Sequence, residues 1–419
     1  MIASPRQCDL LIIGAGIAGV AIAERVAREA AERAKRLRVF VVDEAEQIGA
    51  GASRGLQGWF HSGALYARLR QEESFRQCAL SRQLLRARYS AAMRHEWFAE
   101  PIEYYIDDDP HPDWGPQACK IARHARETAG TVRAHPNSLR IPGYSHAPSG
   151  DRAMRTQRIL FDLAERASQH GVDFLLGRRA CDDGDGCVTL SCPRETVEVR
   201  PAFTIWTAGC RTPNAQTFGL HRRSGVVLGV YPALDVPNMA CIARNDDLNI
   251  SHIAHSCSDA NDGAYSALGN SVSLPASPSR ELCEHTAQTI LARARALFGV
   301  DTFTNRRVGW HTSTKIEARS IDGTEPLFGP VIHELSGNAV AVIPSKFSLF
   351  PLTAENVVLD LAARRFFAGL EDGASSSVGN PRELVVAPAL AEQVLGIAGR
   401  EISDARHHGA LAADVYGQT

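Results

Sequence analysis

Apolar and polar positions repeat along this chain with two different periods, and the switches between them outline its elements. Residues 10–13, Leu-Leu-Ile-Ile, are an unbroken apolar run, as a strand buried on both faces requires. From Ile17 to about Lys35 the period becomes helical. Val20, Ala23, Ala27 and Ala30 share one face, while Glu24, Arg25, Arg28, Glu32 and Arg33 lie mainly outward. Residues 39–42 form a second apolar run, so the opening segment predicts a βαβ unit. A helical stretch over 72–98 follows, then an irregular part over 101–150, rich in Pro, His and Asp, read as a loop or lid. "TQRILFDLAERASQHGVDFLLG" reads as helix, glycine stop and strand, another half of a parallel sheet. "CVTLSC" and "TVEVR" predict a small antiparallel meander, and "AFTIWTAG" a buried strand ending on Ala208 and Gly209. Strands dominate 222–308, with one helix near 280–298. "NAVAVIPS" and "LTAENVVLDLAARRFF" return to the α/β style. Residues from 371 open with a linker composition and then predict a terminal helix over 384–397.

The first turn of the βαβ unit is Gly14-Ala15-Gly16-Ile17-Ala18-Gly19, a G-x-G-x-x-G. Gly14 allows the tight turn, Gly16 lets backbone approach a pyrophosphate, and Gly19 lets helix and strand pack closely. The phosphates would sit on the helix N-terminus, where N–H groups and the dipole favour anions. Asp43 ends the second strand, at the position where an acid accepts hydrogen bonds from a ribose; Glu44 is the other candidate.

Composition narrows the class. The 419 residues suggest two to three domains and bury a sizeable core without metal or disulfide. With 22% charged residues and a net charge of −2, nothing favours nucleic acid or an acidic membrane as partner. No apolar run approaches the ~18–20 residues of a spanning helix. The N-terminus lacks the ordered basic, apolar and cleavage regions of a signal peptide, so a cytoplasmic location is expected. The ten cysteines include no CxxC pair. Cys181, Cys187 and Cys192 flank a "DDGDG" that reads as a hairpin turn, and no metal site is expected. His252 and His255, three apart in a strand, should face opposite sides and share no metal.

One stretch fits neither a helix nor an ordinary surface loop: "GASRGLQGWFHSGALY", residues 51–66, with four glycines and His61 among aromatic and small residues. Together with three other pieces it resembles the D-amino acid oxidase-like FAD-dependent oxidoreductases. That superfamily includes glycine oxidase, sarcosine oxidase, glycerol-3-phosphate dehydrogenase and L-2-hydroxyglutarate dehydrogenase. The other pieces are "DLLIIGAGIAGVAIAERVA…VFVVDEA", "TIWTAG" and "DGTEPLFGP".

The resemblance implies an α/β fold. A discontinuous Rossmann-like FAD-binding domain would take 1–98, 151–221 and 319–370. A mixed, largely antiparallel substrate domain would take 222–318, with 99–150 as lid or insertion and 371–419 as linker and extension. It implies FAD as cofactor, held by Gly14, Gly16, Ile17, Ala18, Gly19, Asp43, Glu44, Gly51, Ala52, Ser53, Arg54, Gly58, His61, Ala180, Ala208, Gly209, Gly329, Ser345, Lys346, Phe347 and Ser348. Gly51 to Ser53 and Arg54 would meet phosphate, and Gly58 and Gly63 would permit close approach to the ring system.

It further implies hydride transfer from a small hydroxy acid, amino acid or amine to flavin N5. The electron acceptor, whether oxygen, a quinone or a protein, stays open. His61 is the base candidate, since imidazole titrates near neutrality, or it only packs on the flavin. Lys346 stands for charge stabilisation near N1 and C2=O, or is a surface lysine. Two places depart from the family pattern. "IPSKFSLFP" lacks the usual glycine- and histidine-rich loop, and "GWHTSTKIEARSIDG" replaces a Gly-x-Arg-Pro segment. His311, Lys315 and Arg319 therefore compete to bind a substrate carboxylate. The alternatives are an NAD(P)H-dependent flavoenzyme and a flavoprotein partner subunit with a degenerate active site.

Overall fold

The computed structural model describes residues 6–53, 55, 57–67, 72–90, 97–130, 132, 134–182, 184, 186–213, 220–245, 248–256, 264–319, 326–327 and 329–371. The chain divides into two compact units, one of 1–53, 157–221 and 316–395, the other of 54–156, 222–315 and 396–419. The C-terminal helix expected over 384–397 lies outside the described residues.

The first unit is built on a sheet whose centre is parallel. Strand β1 (Arg6–Ile13) lies between β2 (Val39–Asp43) and the long strand Glu195–Trp206. Val172–Leu176 extends the sheet beyond β2, and Ala339–Ile343 extends it beyond Glu195–Trp206, both in parallel. Leu10, Leu11, Ile12, Val39, Val41 and Val42 are fully enclosed, which explains why both runs are apolar without alternation. The "DDGDG" segment joins two antiparallel strands, Arg179–Asp182 and Val188–Cys192, as a hairpin.

Helix α1 (Ile17–Glu32) corrects one expectation. Glu24 and Arg25, expected outward, are buried, and Glu29 is buried beside them. The helix Phe350–Ala363 packs on that side, and Arg25 Nε donates to Glu355 Oε2 at 2.9 Å while its Nη2 reaches Glu29 Oε2 at 2.6 Å. Burial alone would lower the Arg25 pKa, but Glu355 and Glu29 outweigh it and hold the guanidinium charged. A polar stripe marks an outward face only where nothing of opposite charge comes to cover it.

In the second unit the strands follow the order Arg307–Arg319, Leu220–Tyr231, Ala264–Gly269, Ile250–Ser256, Met239–Ile242, Glu103–Asp107, Tyr144–Ala147. The helix Arg280–Phe298 covers one face through Val226, Leu228, Met239, Leu268 and Ile290. The other face carries Tyr104, Ala240 and Ile253, which pack on Trp59, Ala64, Ile121 and Ala125. Two sequence readings change here. The described residues of 101–150 are not irregular: they supply two strands of this sheet and the helix Gly115–Ala129. The predicted helix over 72–98 is Glu72–Tyr89, and Phe98–Pro101 is a strand of a separate three-stranded sheet with Trp59–Phe60 and Arg152–Met154.

Candidate active site

All the parallel strands of the first unit point their C-terminal ends to one edge, and several of the predicted cofactor residues lie there. Gly14 to Gly19 leave β1, Asp43 closes β2, Ala208 and Gly209 follow Glu195–Trp206, and Ser345 to Ser348 follow Ala339–Ile343. Gly329 precedes Val331–Ser336, whose start pairs with the end of Ala339–Ile343, and Ser345 Oγ donates to Gly329 O at 2.5 Å. Open α/β sheets bind ligands outside this edge. Arg178 N donates to Asp43 O at 2.9 Å, so the chain passes the end of β2 just before Ala180, which then turns into the meander.

The glycine loop has the shape a dinucleotide needs. Gly14 has φ +113°, and a Cβ there would meet Thr207 O at 2.6 Å. A Cβ on Gly19 would collide with the Gly14 carbonyl oxygen. At Gly16 the nearest atom to an added Cβ is Ser53 Oγ at 3.2 Å, and no side chain caps the helix at this residue. Helix α1 carries no acid in its first turn, so its positive end is left for an external anion. Ser53, buried, accepts from Ile17 N at 2.9 Å, and its hydroxyl proton remains for a phosphate oxygen. Asp43 Oδ2 accepts from Ala15 N at 2.7 Å and Oδ1 from Ala45 N at 2.9 Å. A carboxylate offers about four acceptor sites, so two are left for ribose hydroxyls. Glu44 is exposed and pairs with Arg211. Ile17 and Ala18 are buried at the start of α1. This donor set fits FAD.

The stretch over 51–66 is wrapped largely around protein. Gly51 is exposed and a side chain there would meet nothing, and Ala52 is half-buried. Arg54 lies outside the described residues. From Gln57 onward the segment crosses the second unit's sheet. Gln57 Nε2 donates to Ala267 O at 3.3 Å and its Oε1 accepts from Ser251 Oγ at 2.9 Å, while His255 Nε2 meets Gln57 O at 2.8 Å. Gly58, with φ +66°, is needed because a Cβ would meet Met154 O at 2.5 Å and His255 Cε1 at 3.0 Å. Gly63, with φ +105°, faces Phe75 Cδ2 at 2.8 Å. Both glycines were read as allowing approach to a ring system; the close neighbours are side chains and backbone of this chain.

His61 is buried at 4% exposure, its ring stacked on Trp59 with centroids 4.7 Å apart, and Tyr66 lies 5.1 Å away. Its Nδ1 is 3.5 Å from Oδ2 of Asp151, a residue that the sequence reading missed. Asp151 is fully buried. Its Oδ2 accepts from Trp59 Nε1 at 2.5 Å and Tyr104 Oη at 2.6 Å, and its Oδ1 from Ser62 N at 2.7 Å and Ser62 Oγ at 2.5 Å. Burial pushes the Asp151 carboxyl up, but His61, Ser62 and Tyr104 outweigh it and the net shift is downward. No spacing in the sequence marks Asp151; next to it, a Cβ on Gly150 would collide with Thr128 O, so the backbone is tightly held at this point.

The face of His311 and Lys315 follows from strand alternation. Thr314 Oγ1 lies 2.8 Å from Ser224 Oγ, and Trp310 packs with the cluster under Arg280–Phe298. Odd positions of this strand therefore share the opposite face, the one on which Ile253, Ala267 and Gln57 lie. Both ring nitrogens of His311 are buried and have no hydrogen-bond partner among the described residues, and burial lowers its pKa to about 4. Arg319 lies in the described strand, at its end in the first unit. Lys346 is buried at 6% exposure, which removes the surface-lysine alternative, and Phe347 and Ser348 beside it are buried too. The helix Phe350–Ala363 begins just after them with no acid in its first turn. His252 is fully buried and neutral, its Nδ1 2.9 Å from Pro237 O and its Nε2 2.7 Å from Ser266 Oγ. Among the described residues no helix is long and apolar enough to cross a membrane.

The family model for FAD dependent oxidoreductases matches residues 9–357. No curated protein sequence matches the chain significantly. Among solved structures, glycine oxidase from Geobacillus kaustophilus is 16% identical with a TM-score of 0.62, over 89% of this chain and 100% of that one. An FAD dependent oxidoreductase from Pseudomonas aeruginosa is 15% identical with a TM-score of 0.60, over 93% of this chain and 100% of that one. L-proline dehydrogenase from P. horikoshii is 14% identical with a TM-score of 0.57, over 86% of this chain and 94% of that one. These likenesses concern the fold.

Proposed function

The chain belongs to the FAD dependent oxidoreductase family, and on that premise we propose that it oxidises a small 2-hydroxy acid, with His61 accepting the hydroxyl proton. FAD, when bound, supplies N5 as the hydride acceptor. The observation that carries the reading is His61 itself: a buried imidazole 3.5 Å from a buried Asp151. An alcohol O–H is a weak acid and must lose its proton as the C–H electrons leave, so it needs a positioned base. An amine deprotonates in water near its own pKa and needs one less. Gly14 to Gly19, Ser53 and Asp43 would hold the pyrophosphate and ribose. His311 and Lys315 would bind the substrate carboxylate, since the buried nitrogens of His311, without a hydrogen-bond partner among the described residues, call for a polar ligand. Lys346, buried ahead of a helix N-terminus, would add its charge to the helix dipole and stabilise negative charge arriving on a reduced flavin.

The test is the anaerobic reductive half-reaction of the His61→Gln holoprotein. Flavin reduction should slow by roughly 10²–10⁴-fold, the usual range for losing a general base, with FAD content unchanged. Reduction at the wild-type rate would remove His61 from the chemistry.

A further inference from the structure

We propose that Asp151 is the positioning residue for His61: it fixes the tautomer with Nδ1 protonated and leaves Nε2 bare to take the proton. This rests on the reading of His61 as proton acceptor.

An ionised carboxylate only accepts, and every group the structure sets against Asp151 donates: Trp59 Nε1 and Tyr104 Oη to Oδ2, Ser62 N and Oγ to Oδ1. Four donors at one buried group favour the charged form over the neutral acid. The imidazole nitrogen that faces this charge at 3.5 Å has to present its N–H, because a lone pair there would repel the carboxylate. With one proton on the neutral ring, the other nitrogen is bare.

The ring has little freedom to choose otherwise. Trp59 does two jobs: its indole N–H holds Asp151, and its ring stacks on His61 at 4.7 Å with an interplanar angle of 28°. Tyr66 adds a second aromatic contact, tilted by 57°. One residue thus sets both the carboxylate and the plane of the imidazole. Backbone Ser62 N, next in the chain, holds Oδ1 and ties the two partners in register.

The charges also balance over the step. The substrate O–H bond breaks and a bond forms from its proton to Nε2. FAD, when bound, would take up the C–H electron pair as hydride, leaving the substrate as a carbonyl compound. The imidazolium so formed stands beside a carboxylate that was already charged and buried. The pair changes from −1 to neutral as the reaction proceeds, so Asp151 stabilises the product of proton transfer more than its start. Beside this pair lie the titratable Tyr104, Tyr66 and Cys78 and the charged Arg82, whose Nη2 donates to Thr128 O at 3.1 Å and whose Nη1 stands 2.8 Å from the Cβ position of Gly150. Burial, then Asp151, hold Tyr104 protonated well beyond neutral pH.

The experiment is a histidine ¹⁵N NMR titration of the holoprotein, labelled at its 15 histidines, with the His61 signal identified by its absence in His61→Gln. The wild type should show Nδ1 protonated and Nε2 bare. In Asp151→Asn the His61 midpoint should fall by about one unit or more, the scale of losing an opposite charge at this distance. Tyr104→Phe keeps the carboxylate and removes one competing donor, so its His61 midpoint should rise with the tautomer unchanged. This second variant decides the matter if Asp151→Asn does not fold. A wild-type ring protonated at Nε2, or a midpoint unmoved in the variants, overturns the proposal. His61→Gln with full activity overturns the base reading instead, whatever the tautomer.

Discussion

Ser53 Oγ accepts a hydrogen bond from the Ile17 backbone N–H at 2.9 Å, so a serine 36 residues downstream caps the helix that the glycine loop opens. The residue at the local cap position is Gly16, which has no side chain to do it. With Ser53 placed at the pyrophosphate as proposed, helix capping and phosphate binding would share one hydroxyl. Ser53→Ala should cost about 1 kcal/mol, the usual worth of an N-cap. FAD affinity should fall with it. Thermal melts with and without added FAD check both: the melting point falls in each, and more in the presence of FAD.

Gly19 sits where an added Cβ would strike the Gly14 carbonyl. The contact is backbone to backbone, so no rotamer relieves it. Gly19→Ala should separate α1 from the loop, cost about 1–3 kcal/mol as overpacking does, and yield protein with little flavin. The ratio of 450 nm to 280 nm absorbance after purification measures this directly.

Arg25 is buried between Glu355 and Glu29. Removing one partner of a buried pair costs about 3–5 kcal/mol when the other charge is orphaned. Here Glu29 remains, so Glu355→Gln should fall below that range while staying clearly destabilising. Urea unfolding gives the value. A variant as stable as wild type would mean that Glu355 contributes nothing net.

The nucleotide-binding half of the fold was legible because its chemistry is local. Gly14, Gly16, Gly19 and Asp43 lie within one βαβ unit, and a period change marks each boundary. The helix Gly115–Ala129 was overlooked although Ile121, Ala125 and Ala129 share a face, Pro116 opens it and Gly130 ends it. The surrounding Pro, His and Asp residues masked that signal. Asp151 could not be read at all. Its importance comes from Trp59, Ser62 and Tyr104 converging on it from segments 47 to 92 residues away, and no spacing rule encodes that. Of the glycines of 51–66, Gly58 and Gly63 are sites of close approach, to Met154, His255 and Phe75, whereas Gly51 has nothing near it.

Stability should decline in mild acid. Burial lowers the His252 pKa to about 4, against 6.5 for a free histidine. Between those values the unfolded chain binds more protons than the folded one, so stability rises with pH. This contribution is whole above about 6.5 and lost progressively as pH falls toward about 4. The urea midpoint of the wild type should therefore drop from pH 7 to pH 5, and His252→Gln should show a smaller drop.

On the proposed function, the chain would pass electrons from a 2-hydroxy acid to its FAD. The direct measurement is the visible spectrum of the holoprotein under anaerobic conditions, titrated with 2-hydroxy acids, with the α-amino acids of the same carbon skeletons, and with NADPH. The holoprotein should be yellow and be bleached by at least one 2-hydroxy acid, faster than by its amino counterpart. Flavin that only NADPH or only amino acids bleach, or a colourless protein that FAD does not reconstitute, would contradict the proposed function.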